Sequence, residues 1–201
     1  TTVNVGGTIG LSGTLHVGAN DGTATALFAE LTGAFGDIDV NASNDATVSL
    51  DIATLSGDIT DFTVAADNST IDVTTSNNGS DDIVNITNLT ATASLGSDVA
   101  VSLDGNTNFL NDSEDFADIL ASADDSTLNL TITNASGSAS NITIDANNNA
   151  DTTVNVGGTI GLSGTLHVGA TNDGSAATAL FTELTGAYGN IDVNASNDAT
   201  V

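Results

Sequence analysis

The chain is 201 residues long and carries 26 acidic side chains against no Lys or Arg, a formal charge of −26; Pro, Cys, Met and Trp are absent as well. With no cation to meet a phosphate, the composition excludes nucleic acid and disfavours anionic membrane surfaces, and with no Cys it excludes disulfide staples. No apolar run approaches the 18 or so residues of a membrane-spanning helix, and 39% hydrophobic content reads as a folded chain rather than an acidic disordered tail.

The first elements lie in three hexads, VNVGGT, IGLSGT and LHVGAN, from Val3 to Asn20. Each opens aliphatic–x–aliphatic, so Val3 and Val5, Ile9 and Leu11, and Leu15 and Val17 share one face of their strands. Two architectures use such a pattern. In a β-solenoid, Gly-Gly, Ser-Gly and Gly-Ala form corners, and three hexads close a coil of about 18 residues. In an antiparallel meander, Gly6-Gly7 and Ser12-Gly13 are hairpin turns. Four-residue hairpin strands are weak, which favours the solenoid; tandem antiparallel β-sandwich domains are the alternative.

Next, Ala24, Leu27, Phe28, Leu31 and Phe35 follow helical spacing with Thr32-Gly33 as a stop. Alternating aliphatics then mark strands at Val48-Leu50-Ile52, Phe62-Val64, Ile71-Val73, Val84-Ile86 and Val99-Val101-Leu103. The inward phase slips by one residue between Ile52 and Leu55, Ile59 and Phe62, and Ile86 and Leu89, which predicts bulges or corners. A second helix is predicted from Phe116, Ile119, Leu120 and Ala123, after the N-cap cluster Asn111-Asp112-Ser113. Strands follow at Leu128-Leu130-Ile132, Ile142-Ile144 and Val154-Val156. The expected fold is therefore mainly β, a β-solenoid with two short helical insertions per repeat that pad or cap the core.

The repeat itself is long. Residues 1–48 align with 152–201 across two one-residue insertions, at Thr171 and near Ala177, and 44 of 48 positions are identical. The reading is one full tandem repeat over 1–151 and the first third of the next over 152–201. Because the pattern is entered and left midway, the chain reads as a window on a longer array.

Acidic residues number 23 Asp against three Glu. Asp carboxylates, Asn amides and turn carbonyls are hard oxygen ligands that suit Ca²⁺, and without internal cations their repulsion must be screened by salt or offset by bound ions. The candidate ligands are Asp81, Asp82, Asp98, Asp104, Asp124 and Asp125. The stretches NNGSDDIVN (Asn77 to Asn85) and LGSDVAVSLDG (Leu95 to Gly105) resemble the Gly/Asp-rich calcium-binding nonapeptide of RTX proteins. Asp82 and Val84 fit its Asp and aliphatic positions, whereas Asn77, Asn78 and Ser80 stand where the motif has Gly. In texture the whole chain resembles long repetitive surface-layer proteins and giant adhesins of bacteria. That resemblance implies secretion to the cell surface, calcium-dependent order and a structural role.

His16 and His167 occupy the same repeat position and face away from the inward Leu15 and Val17; with no Cys or second His beside them they make poor metal ligands. Asn-x-Ser/Thr sequons at Asn41, Asn68, Asn85, Asn88 and Asn129 follow from composition alone. Paired carboxylates for glycoside chemistry could be assembled from so many aspartates, but lyase-type sites on β-helices need a Lys or Arg, so no enzyme is expected. Three functions fit: a self-assembling structural protein of an extracellular filament, sheath or surface layer; the stalk of a giant cell-surface adhesin; and a Thr-rich binding face for ice or carbohydrate. The last rests on Thr74-Thr75, Thr90-x-Thr92 and Thr131-x-Thr133 and lacks a regular outward Thr rank. The partners implied are other copies of the chain and, secondarily, cell-surface polysaccharide.

Overall fold

Val, Ile, Leu and Ala alternate with polar residues along most of the chain, and strand follows strand in the structure. The computed structural model describes residues 1–77, 83–109, 118–187 and 189–201. The strands wind into eight coils. β1 (Thr2–Gly10) and β2 (Leu15–Asn20) form coil 1 (1–22), and the single bent strand β3 (Thr23–Ser43) forms coil 2 (23–46). Coil 3 (47–69) holds β4 (Thr47–Ile52) and β5 (Leu55–Asp67), and coil 4 (70–97) holds β6 (Thr70–Ser76) and β7 (Val84–Ser94). Coil 5 (98–126) holds β8 (Asp98–Phe109) and β9 (Asp118–Asp124), and coil 6 (127–150) holds β10 (Thr127–Ala139) and β11 (Asn141–Asn147). β12 (Asp151–Leu162) and β13 (Thr165–Thr171) make coil 7 (151–175); β14 (Ala176–Thr185) and β15 (Asn190–Ser196) make coil 8 (176–199).

Every strand pairing is parallel, and the sheet runs β14-β12-β10-β8-β6-β4-β3-β5-β7-β9-β11-β13-β15, with β1 and β2 both on β3. The coil has three walls: residues 2–5 and their partners form the first, residues 8–10, 31–35, 55–59, 84–86 and 107–109 stack as the second, where β8 also pairs with β7, and β2 with its partners forms the third; β3 bends through all three. This is a β-solenoid; parallel pairing throughout removes the antiparallel sandwich alternative.

Register turns the alternation into columns. Val3, Ala26, Leu50, Val73, Val101, Leu130, Val154 and Ala179 stack on one wall. On the third wall, Leu15, Ile38, Phe62, Leu89, Ile119, Ile142, Leu166 and Ile191 form a second column. A third is alanine at every level: Ala19, Ala42, Ala66, Ala93, Ala123, Ala146, Ala170 and Ala195. Small side chains here bring the third wall close to the first where the coil closes. Ile38, Phe62, Leu89, Leu130, Ile142 and Val154 are wholly buried, each contributing about 1.5–3 kcal/mol of hydrophobic stabilisation.

Several expectations are corrected. Among the described residues there is no helix. Ala24 to Phe35 lie in β3, where Ala26, Phe28, Leu31 and Phe35 all point into the core. The inward phase slips where the strand bends, and the spacings of three and four on either side imitate a helical period. Ile119, Leu120 and Ala123 lie in β9; Phe116 and Asn111-Asp112-Ser113 fall outside the described residues. The coil is longer than three hexads: Thr2 pairs with Thr25 and Asp98 with Thr127, offsets of 23 and 29 residues. Gly6-Gly7 holds as a corner, since β1 shifts register there between Val5 and Thr8, in line with Ala53-Thr54 between β4 and β5, whereas Gly18-Ala19 lies within β2. Ser12-Gly13 does separate the two strands. The predicted phase slips hold, since Ile52 and Leu55, Ile59 and Phe62, and Ile86 and Leu89 are all buried.

The 151-residue period is six whole coils, so coils 7 and 8 reproduce coils 1 and 2. Both inserted residues fall in one corner. Thr171 pairs with Ser196 as Asn20 pairs with Ser43, and Ala176 bridges Thr200 as Thr23 pairs with Thr47. The extra length is confined to 172–175, and the flanking strands keep their register.

Candidate functional site

The chemistry-bearing side chains sit at the corners and on the outer faces, ordered as ladders that follow from the stacking. At the corner that ends each coil, Asn44, Asp45, Asn68, Asp125, Asn148, Asn149 and Asn172 adopt left-handed backbone conformations, φ 47–74°. Asn and Asp tolerate this region because their short polar side chains bond locally. The amides then bond up the stack: Asn44 Nδ2 donates to Asn20 Oδ1, Asn68 Nδ2 to Asp45 Oδ1 (2.8 Å), Asn148 Nδ2 to Asp124 Oδ1 (2.6 Å) and Asn172 Nδ2 to Asn148 Oδ1 (2.6 Å).

Just inside runs a buried serine ladder. Ser69, Ser97 and Ser126 stack along the corner; the Oγ of Ser97 accepts from the Ser69 amide (3.1 Å) and that of Ser126 from the Ser97 amide (3.0 Å). Each hydroxyl also donates to a carbonyl of its own coil, Asp67, Ser94 and Asp124 in turn. Among the described residues no buried side-chain polar atom is left without a partner.

A second polar column marks the entrance to the third wall. Asn88 Nδ2 donates to Asp61 Oδ1 (2.8 Å), and Asn141 donates through both its amide nitrogen and Nδ2 to Asp118 Oδ1 (3.1 and 3.0 Å). Asn between aspartates supplies the donors that missing Lys and Arg would otherwise provide. These residues line an open groove of about 500 Å³ with Thr90 and Thr143.

The candidate calcium ligands are dispersed. Asp81 and Asp82 lie outside the described residues. Asp98 begins β8 in register with Thr70 and Thr127. Asp124 and Asp125 occupy the same corner edge one coil on, with Asp124 taken up by Asn148 and Asp125 at φ 48°. Asp104 lies toward the far end of the first wall and accepts from Thr133 Oγ1 (2.7 Å). Asp98 and the Asp124-Asp125 pair thus share an edge, which Asp104 does not. Among the described residues no three acidic or His side chains converge as a metal cage.

The histidines are cross-coil links that sequence reading placed on the outer face without naming partners. His16 Nδ1 lies 3.0 Å from Asp39 Oδ2. His167 spans three coils, with Nε2 3.1 Å from Asp145 and Nδ1 3.1 Å from Asp192. Both contacts are hydrogen bonds only when both ring nitrogens carry protons. The signal was available: Asp39 and Asp192 follow their histidines by about one coil. Only the coil length was missing.

The chain matches no known protein family, no curated protein and no solved structure.

Proposed function

We propose that this chain is part of a structural rod that self-assembles into an extracellular filament, sheath or surface layer, stabilised by calcium at its acidic edges. The observation that carries the reading is that the 151-residue repeat equals six whole coils. At about 4.8 Å per coil, the same set of side chains recurs every ~29 Å along the axis, which is what a periodic assembly needs. The outer ladders bind no substrate in this reading; they hold the coils together, and the protein is not an enzyme. Calcium offsets the charge of −26, which, among the described residues, no side-chain ion pair other than those of His16 and His167 relieves. Localisation at the cell surface follows from the RTX-like and surface-layer texture, with other copies of the chain as first partner and cell-surface polysaccharide as second.

The stalk of a giant adhesin is the second reading. It is favoured by the strongly acidic, polar outer faces, which repel one another side by side at low salt.

The test is a thermal melt with light scattering and electron microscopy, in Ca²⁺, in EDTA and in NaCl of matched ionic strength. The structural reading expects calcium to raise the midpoint beyond the salt control and to bring on ordered assemblies. A calcium-indifferent chain that stays unassociated overturns it in favour of the stalk.

A further inference from the structure

The groove on the third wall lies in the middle of the rod, over coils 3 to 6, where every coil has a neighbour on both sides. It is lined by the column Asp61, Asn88, Asp118 and Asn141, one residue per coil, and by Thr90, Leu120 and Thr143 in the next outward column. Leu120 is half-buried and faces outward, in a column whose other members, from His16 to Asp192, are all polar. The core does not call for it, since its neighbours Ile119 and Ala121 already face inward. The polar groups of the groove are only half used. Asp61 and Asp118 accept through Oδ1 alone, from Asn88 and Asn141. Among the described residues their Oδ2 atoms and the hydroxyls of Thr90 and Thr143 have no hydrogen-bond partner, and each Asn Nδ2 keeps a second N–H.

We propose that this groove binds a segment of a neutral polysaccharide. The lining decides the class of ligand. An anion is repelled by the two carboxylates, with no Lys or Arg to offset them. A metal ion is poorly served, because Asp61 and Asp118 are two coils, about 10 Å, apart, whereas two ligands of one Ca²⁺ lie within about 5 Å of each other. The amide oxygens do not fill the gap: Asn88 and Asn141 turn Nδ2 toward the carboxylates, and their Oδ1 atoms accept from the Asp118 and Thr165 amides (3.4 and 3.2 Å). An uncharged polyol fits. Sugar hydroxyls both donate and accept, matching carboxylate oxygens that alternate with amide N–H groups, and the C–H face of a pyranose ring packs on Leu120. The lining spans four coils, about 14 Å along the axis, which suits several linked sugars rather than one. The saccharide is held, not turned over. The proposal rests on the reading above for its polysaccharide partner and is independent of self-assembly.

The experiment is ligand-observed saturation-transfer NMR of the 201-residue chain with maltohexaose, cellotetraose and laminarihexaose, neutral glucans that differ in linkage. This readout serves whether the chain is monomeric or assembled. The variants are Leu120→Ser and Thr143→Val, both outward-facing, with Leu27→Ser on the first wall as control; circular dichroism and thermal melts verify that all three fold. Binding of at least one glucan to the wild type is expected. Leu120→Ser should weaken it about 10-fold and Thr143→Val about 5-fold, while Leu27→Ser leaves it unchanged. No binding of any glucan at millimolar concentration overturns the proposal, as does binding that survives both groove substitutions. Equilibrium dialysis against CaCl₂ is run beside it: calcium bound by the wild type and lost in Asp118→Asn, with no glucan bound, overturns it in favour of a cation site. Each of these failures leaves the self-assembling reading intact, and a chain that binds glucan at Leu120 but never assembles keeps the groove and loses that reading.

Discussion

Ile38 and Ile191 are one residue of the repeat in two settings, and replacing each with Ala measures what a covering coil contributes. At Ile38, wholly buried between Leu15 and Phe62, the change removes about three methylene equivalents of buried surface, ~2.4 kcal/mol. The cavity left between stacked neighbours raises the loss to about 3–4 kcal/mol. At Ile191, with 54% of the residue already in water, roughly half the transfer term remains and no closed cavity forms, so the loss is about 1 kcal/mol. Urea unfolding of the dilute monomer reads the difference. Amide exchange in coils 2 and 8 separates global loss from fraying, since a repeat array can open coil by coil. Equal losses at the two sites, or a larger one at Ile191, would refute the stacking account of stability.

Gly57→Ala should cost at least about 2 kcal/mol in a urea melt, because Gly57 sits at φ 127° and an added Cβ would run into the Gly33 carbonyl oxygen one coil away. Ser97→Ala should lower stability by about 1–2 kcal/mol by leaving the buried Ser69 amide without its acceptor; a Cys at the same site should not restore it. His167→Ala should destabilise by about 0.5–1 kcal/mol and more than His16→Ala, since His167 touches carboxylates on both sides and His16 on one; thermal melts of the two variants and a cycle with Asp192→Asn check this.

Much of the core was legible in advance because strand alternation is a local signal: the inward residues at Val48-Leu50-Ile52, Phe62-Val64 and Leu128-Leu130-Ile132 are all buried. The predicted phase slips at Ile52/Leu55 and Ile59/Phe62 also marked real bends. What failed was the coil length, since Gly18-Ala19 reads as a corner but lies inside β2, and the turn that ends the coil comes later, at Asp21-Gly22. The first predicted helix failed for a related reason, because a bent strand changes inward phase and Phe28, Leu31 and Phe35 fall at intervals of three and four. At the candidate site, acidic residues were visible but their convergence was not. Whether Asp98, Asp104 and Asp125 meet depends on which corner each occupies, and that is set by the unread coil length.

The pairing offsets of 22 to 30 residues govern how such a chain acquires its shape. Each coil needs only the one before it as a template, so closing it costs roughly 3 kcal/mol of loop entropy whether it is the third coil or the hundredth. In most β proteins distant pairings slow folding as the chain lengthens; here the span of a contact is independent of total length. The rod can therefore order vectorially, zipping from whichever end emerges first, at a rate per coil that does not fall as repeats are added.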